Sequence, residues 1–312
     1  MSQTLNKTQI EKFHEDGFLT VEGAVPKDIL AEMQSVTDGL LEEARLVKIS
    51  DDRFDLDDSH TPEHPVVRRL KRPFDNWPFF NELIRKDFIL DCVEPLIGPN
   101  IRANIGKVNF KTPGHGFAIE WHQDWAFYPH TNDMGLAIGI YMDDATYDNG
   151  AMIALPGTHR LEAYDHHSDG YFCGAMDPGK CELNFDNYAV LEGAAGTLTL
   201  HHVRTVHASA PNNTNKERRL FIAGYFAADA WPLAARVMPT FERFQSYIVR
   251  GEHQEPRLDA NVPIRMPYPS APQQGSIYEN QQALKNRYFE SFEETRARGR
   301  SFELEDNQKT TH

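Results

Sequence analysis

Apolar residues recur with two different periods along this 312-residue chain, and the change of period divides it. Over the first hundred residues they fall three and four apart, the spacing that gives a helix one apolar face. Thr8-Gln-Ile-Glu11 reads as a capping box, Ile10 and Phe13 begin an apolar stripe, and Gly17 supplies a stop. Residues 18–21 read as a short strand. Pro26 then opens a longer helix carrying Ile29, Leu30, Met33, Val36, Leu40 and Leu41. Residues 51–65 are acidic and polar, as a loop would be, and a further helix is expected over 81–96, ending at Gly98-Pro99.

From about residue 101 the runs shorten and take a β character, at 101–110, 117–122, 136–142, 151–155, 197–203 and 220–227. Turn residues separate them: Thr112-Pro-Gly114, Asp148-Asn-Gly150, Pro156-Gly157 and Glu192-Gly193. Helices followed by many short strands predict a mainly-β fold, an antiparallel barrel or jelly roll with helices packed outside it. One domain is expected: a helical part to about residue 100, a jelly-roll core over 101–230 and an extension over 231–312. The irregular stretch 161–190 is long enough to be a lid or pocket wall. In the extension, 278–298 reads as a docking helix or dimer arm with Leu284, Tyr288 and Phe292 in a stripe, which leaves a homodimer open.

Composition narrows the function. Hydrophobic content of 40% and charged content of 25% are those of a soluble globular protein. The absence of a long apolar run excludes a helical membrane span. The net charge of −14 disfavours nucleic acid and anionic membranes as partners and leaves a small molecule as the expected one. Cys92, Cys173 and Cys181 form no disulfide framework. With no apolar signal core near the N-terminus and no peroxisomal tripeptide at Lys-Thr-Thr-His312, they point to the cytoplasm.

The candidate chemistry lies in Glu120-Trp-His-Gln-Asp-Trp125. His-x-Asp occurs three times, at His14, His122 and His167. The first sits at a helix end, where positions i and i+2 diverge by about 200°. The third lies in the irregular stretch. Only His122 and Asp124 fall on an expected strand, where i and i+2 project to one face. His207, following another expected strand, offers a third ligand. Two histidines and a carboxylate are the ligand set of a non-haem Fe(II) centre with one face open for chemistry.

His122-Gln-Asp124, Asn149-Gly150, Pro156-Gly-Thr-His159 and His207-Ala-Ser209 with Asn212 and Arg218 resemble the phytanoyl-CoA dioxygenase family of Fe(II)/2-oxoglutarate oxygenases. The likeness covers about residues 8–230. It implies a double-stranded β-helix (a cupin-like jelly roll) with His122, Asp124 and His207 as iron ligands. It also implies that Arg218, eleven residues after His207, pairs with the distal carboxylate of 2-oxoglutarate, with Ser209, Lys71 and Lys107 as further co-substrate contacts. Iron, 2-oxoglutarate and O₂ would then oxidise an organic substrate and yield succinate and CO₂, with ascorbate as the reductant in vitro. The carboxylate at Asp124 favours hydroxylation over halogenation.

Trp125, Phe127 and Arg204 are candidates for the substrate pocket. Arg68, Arg69 and Arg72 read as a solvated cationic stretch, His159 as a turn brace, and His201 and His202 as non-ligands. A zinc hydrolase with the same three ligands and a non-catalytic jelly-roll binding protein are the alternatives. Neither accounts for the placing of Arg218.

Overall fold

Alternation along the long strands decides the architecture, a computed structural model that describes residues 4–114, 117–234, 240–270 and 276–289. The helices are α1 (Lys7–Asp16), α2 (Lys27–Ala44), α3 (Pro73–Asn76), α4 (Pro78–Leu83), α5 (Asp87–Ile97), α6 (Phe241–Gln245) and α7 (Ile277–Asn280). The strands are β1 (Phe18–Val21), β2 (Phe54–Leu56), β3 (Val67–Lys71), β4 (Ile101–Lys111), β5 (Ile119–His122), β6 (Gly135–Tyr141) and β7 (Met152–Ala154). They continue as β8 (His167–Ser168), β9 (Tyr171–Phe172), β10 (Ala189–Val190), β11 (Leu198–His202), β12 (His207–Ser209), β13 (Arg218–Ala227) and β14 (Ile248–Arg250).

The larger sheet runs β1-β11-β6-β13-β4-β3-β2, with β14 on β4, and the smaller runs β10-β7-β12-β5. All their pairings are antiparallel. This is the expected jelly roll.

Cross-strand register sorts the larger sheet into two unlike faces. Leu70, Val108, Phe221 and Ile140 stand opposite one another across four strands. They belong to one core with Met33, Phe80, Ile89 and Val93 of the helices. One residue along, Lys71, Lys107, Ile222, Gly139 and Thr199 form the next row, on the opposite face. That face meets the smaller sheet, as Phe18 shows by packing on Met152 and Ala154. The apolar core therefore lies between helices and sheet, and the space between the sheets is left for polar groups.

Several local expectations shift. The α1 cap is Asn6, which exchanges hydrogen bonds with Gln9, so the capping box begins two residues before Thr8. Gly17 does end the helix, at φ 86°. The stretch 51–65 contains β2, which pairs with β3, and the cationic run Arg68–Lys71 is a strand within the sheet rather than a solvated surface. The helix expected over 81–96 is broken between Leu83 and Asp87. Residues 161–190 form a wall: the Met176 N–H donates to Trp121 O, and the Phe185 and Tyr188 rings pack on the Trp121 indole.

The C-terminal helix is shorter than expected. α7 gives way to a 3₁₀ turn over Gln281–Ala283, and Tyr288 packs on Trp121 at 5.5 Å. Phe292 lies outside the described residues. No helix among those described is long and apolar enough to cross a membrane.

Candidate active site

His122 ends β5 and His207 begins β12, and the two are a direct cross-strand pair with ring centroids 4.1 Å apart. Strand β5 stops at His122, yet Gln123 keeps extended angles (φ −114°, ψ 131°), so Asp124 projects to the side His122 does. Gln123 is itself fixed. Its side-chain amide donates to the Arg204 and Glu162 carbonyls, and its oxygen accepts from the Tyr164 N–H. One ligand atom from each of His122, Asp124 and His207 falls within 4.8 Å of the others, and all three residues are buried.

These donors fit a divalent metal. His122 Nδ1 lies 2.9 Å from Glu120 O and His207 Nδ1 2.9 Å from Thr205 O, which leaves each Nε2 lone pair for an ion. Burial lowers the His122 pKa to about 4 and that of His207 well below its usual value, so both rings are neutral. Burial alone would raise the Asp124 pKa. The His201 hydrogen bond, with the fields of His207, His201 and Lys107, outweighs it and keeps the carboxylate ionised.

Arg218 opens β13 opposite Lys111 on the inner face. It is 2% exposed, and its Nε and Nη1 have no partner among the described residues. An unpaired guanidinium is costly to bury, so the arrangement suits an anion, and the planar fork suits a carboxylate. Arg219 points the other way, to Asp143 and Asp38. Ser209 is buried on β12 two residues after His207, its carbonyl accepting from Lys111 Nζ at 3.3 Å.

Lys111 is a residue that sequence reasoning missed. It is 1% exposed, and burial, reinforced by the Arg218 charge, drives its pKa far down. Alternation along Lys107-x-Asn109-x-Lys111 was the available signal. Asn149-Gly150 makes room for it. A Cβ on Gly150 would stand 2.5 Å from Lys111 Cδ and 2.7 Å from Ala210 O.

Lys71 and Lys107 face each other across β3 and β4, in the row of Ile222. Four residues of strand separate that row from Arg218, about 13 Å. Both line a cavity of about 710 Å³ with Arg69, Arg72 and Arg243, against the carboxylates of Asp52 and Asp75. Lys107 links cavity and triad: it is half-buried and acts electrostatically on both Asp124 and His122.

Two expected pocket residues lie elsewhere. Trp125 is core: it packs with Ala163, Val203 and Phe226, and its indole N–H donates to Pro263 O. Arg204 is held by Asp133 at 2.9 Å and by the Leu161 carbonyl, which leaves it no free fork for a substrate. Phe127 does border the triad, its ring edge-on to His122 at 6.1 Å. His159 bonds the His14 carbonyl and so ties its turn to the end of α1. His201, read as a non-ligand, is outside the ligand group but reaches Asp124 at 3.1 Å.

The comparisons agree with this geometry. Residues 13–220 match the family model of phytanoyl-CoA dioxygenase (PhyH). The chain belongs to the phytanoyl-CoA dioxygenase family. A probable alpha-ketoglutarate-dependent hypophosphite dioxygenase of Stutzerimonas stutzeri is 40% identical over 229 residues, 72% of this chain and 79% of that protein.

Two solved structures share the fold. Iron-bound EctD from S. alaskensis superposes with a TM-score of 0.63 at 20% identity, over 83% of this chain and 89% of that one. EvdO2 from Micromonospora carbonacea var. aurantiaca, complexed with 2-oxoglutarate, gives 0.57 at 22% identity, over 78% and 98%. This family member is an Fe(II)/2-oxoglutarate-dependent dioxygenase acting on a small molecule.

Proposed function

We propose that the chain binds Fe(II) through His122, Asp124 and His207, holds the distal carboxylate of 2-oxoglutarate on Arg218, and oxidises a small substrate carrying a compact oxyanion. Bound Fe(II) and 2-oxoglutarate supply O₂ activation, with succinate and CO₂ as by-products. The protein's own part is placement. Arg218, beside Lys111 and Ser209, marks one end of the inner face, and the cationic cavity marks the other. We assign Lys71 and Lys107 to the substrate rather than the co-substrate, because their row stands too far from Arg218 to share its carboxylate.

The cavity carries the proposal. Five cations against two carboxylates line it, in a protein whose net charge is −14. Arg72 and Arg243 are engaged by Asp75, and Arg69 by Asp55. Lys71 and Lys107 form no direct ion pair among the described residues, though they feel the fields of Asp51 and Asp124. Both are placed to meet an anion, Lys107 beside the triad. The Stutzerimonas relative is named for hypophosphite, itself a phosphorus oxyanion, and its likeness to this chain supports the same substrate class. The free thiols of Cys92, Cys173 and Cys181 support a cytoplasmic setting.

A succinate-release screen with Fe(II), ascorbate and 2-oxoglutarate tests the substrate class. Small phosphinates, phosphonates and carboxylates are expected to stimulate turnover, and their uncharged amides or esters are not. Equal stimulation by a neutral analogue would remove the assignment.

A further inference from the structure

We infer that Tyr278, on the C-terminal segment, donates a hydrogen bond to the same distal carboxylate as Arg218, so that residues 276–289 complete the co-substrate pocket. The inference rests on the proposed assignment of Arg218. The Tyr278 side chain is buried, and its hydroxyl has no hydrogen-bond partner among the described residues. The two groups whose charge acts on it most strongly are Arg218 and Arg69, and Arg218 has its own Nε and Nη1 unpartnered. A guanidinium only donates, so even an Arg218 N–H given to the phenol oxygen would leave the hydroxyl proton without an acceptor. An anion accepting from both would satisfy them together.

The segment is built to hold that hydroxyl in place. Gln281 accepts from the Glu120 N–H and donates to Ala118 O, which pins the turn after α7 to the strand bearing His122. The buried Glu120 carboxylate accepts from the N–H groups of Tyr288 and Phe289. Ser168 Oγ donates to Ala283 O, and Asn286 donates to Asp177, so the 161–190 wall holds the segment from the far side. The Tyr278 ring rests edge-on against Phe117 and packs with Ile119 of β5. These contacts fix where the hydroxyl points, and none of them uses it.

The test is calorimetric titration of Fe(II)-loaded protein without oxygen, using 2-oxoglutarate and 2-oxovalerate, which lacks the distal carboxylate. Tyr278→Phe removes only the hydroxyl. It is expected to weaken 2-oxoglutarate binding about tenfold, as loss of a hydrogen bond to a charged group does, and to leave 2-oxovalerate binding unchanged. In turnover it should raise KM for 2-oxoglutarate and leave kcat within about twofold. Unaltered 2-oxoglutarate binding, or an equal loss for both 2-oxo acids, overturns the inference. A wild-type protein with no preference for 2-oxoglutarate overturns the Arg218 assignment beneath it, a result separable from either.

Discussion

His201 Nε2 lies 3.1 Å from Asp124 Oδ2, so a third imidazole holds the carboxylate of the triad. The contact joins the two sheets, because His201 is on β11 and Asp124 follows β5. A carboxylate oriented from behind pays less conformational entropy on binding an ion. His201→Leu, which keeps the bulk and removes the bond, should weaken Fe(II) affinity by about 10- to 100-fold. Metal titration followed by calorimetry reads this directly, and unchanged affinity would show the contact to be packing alone.

Arg218 and Lys107 should separate kinetically. Arg218→Ala removes a charge-assisted contact to the co-substrate and is expected to abolish 2-oxoglutarate turnover while leaving the fold intact. Lys107→Gln should lower kcat/KM for the prime substrate by about tenfold or more, with a far smaller change in KM for 2-oxoglutarate. Steady-state kinetics with each ligand varied in turn checks both. A Lys107 variant with its main defect in 2-oxoglutarate KM would return that lysine to the co-substrate.

Gly150 adopts φ 83°, and a Cβ there would collide with Lys111 Cδ and the Ala210 carbonyl. Gly150→Ala therefore suffers both a left-handed backbone and overpacking. About 2 kcal/mol or more of destabilisation is expected. Thermal unfolding should show a lower Tm, and 2-oxoglutarate affinity should fall too, because Lys111 and its Arg218 neighbour would shift. An unperturbed Tm would mean that the Asn149-Gly150 turn yields easily.

Metal-free protein should lose stability as pH falls from about 6.5 towards 4. Burial depresses the pKa of His122 to about 4 and those of His166 and His202 to about 3. Below pH 6.5 the unfolded chain takes up protons that the folded chain refuses, so acid favours unfolding. Glu120, pushed up to about 7 by burial, and Glu217, also raised by burial, act in the opposite sense. They are two groups against five, since burial lowers His159 and His207 as well. Thermal melts between pH 7.5 and pH 4 give the sign. A Tm that rises on acidification would contradict it.

Strands β4, β5, β6, β7, β11 and β13 were legible because their apolar runs are short and bounded by turn residues, whereas the two- and three-residue strands β8, β9, β10 and β12 are too short to show a pattern. His122 and Asp124 were legible because extended backbone puts i and i+2 on one side. Residues 67–71 were not. Val-Arg-Arg-Leu-Lys reads as solvated when a charged strand is assumed to face water, whereas in a jelly roll clad in helices the charged face looks inward. His201 and Tyr278 were hidden for a different reason. Each reaches the site through tertiary contact alone, and their own neighbours in sequence carry no sign of it. Trp125 and Arg204 erred the other way: adjacency to the motif suggested a pocket, while the structure gives one to the core and the other to Asp133.

The most direct measurement is Fe(II)- and substrate-dependent succinate release from 2-oxoglutarate by the wild-type chain and by His207→Ala. The wild type should form succinate, faster with an anionic substrate present, and the variant should form none while keeping a native circular dichroism spectrum. Wild-type rates in His207→Ala would contradict the proposed metal site.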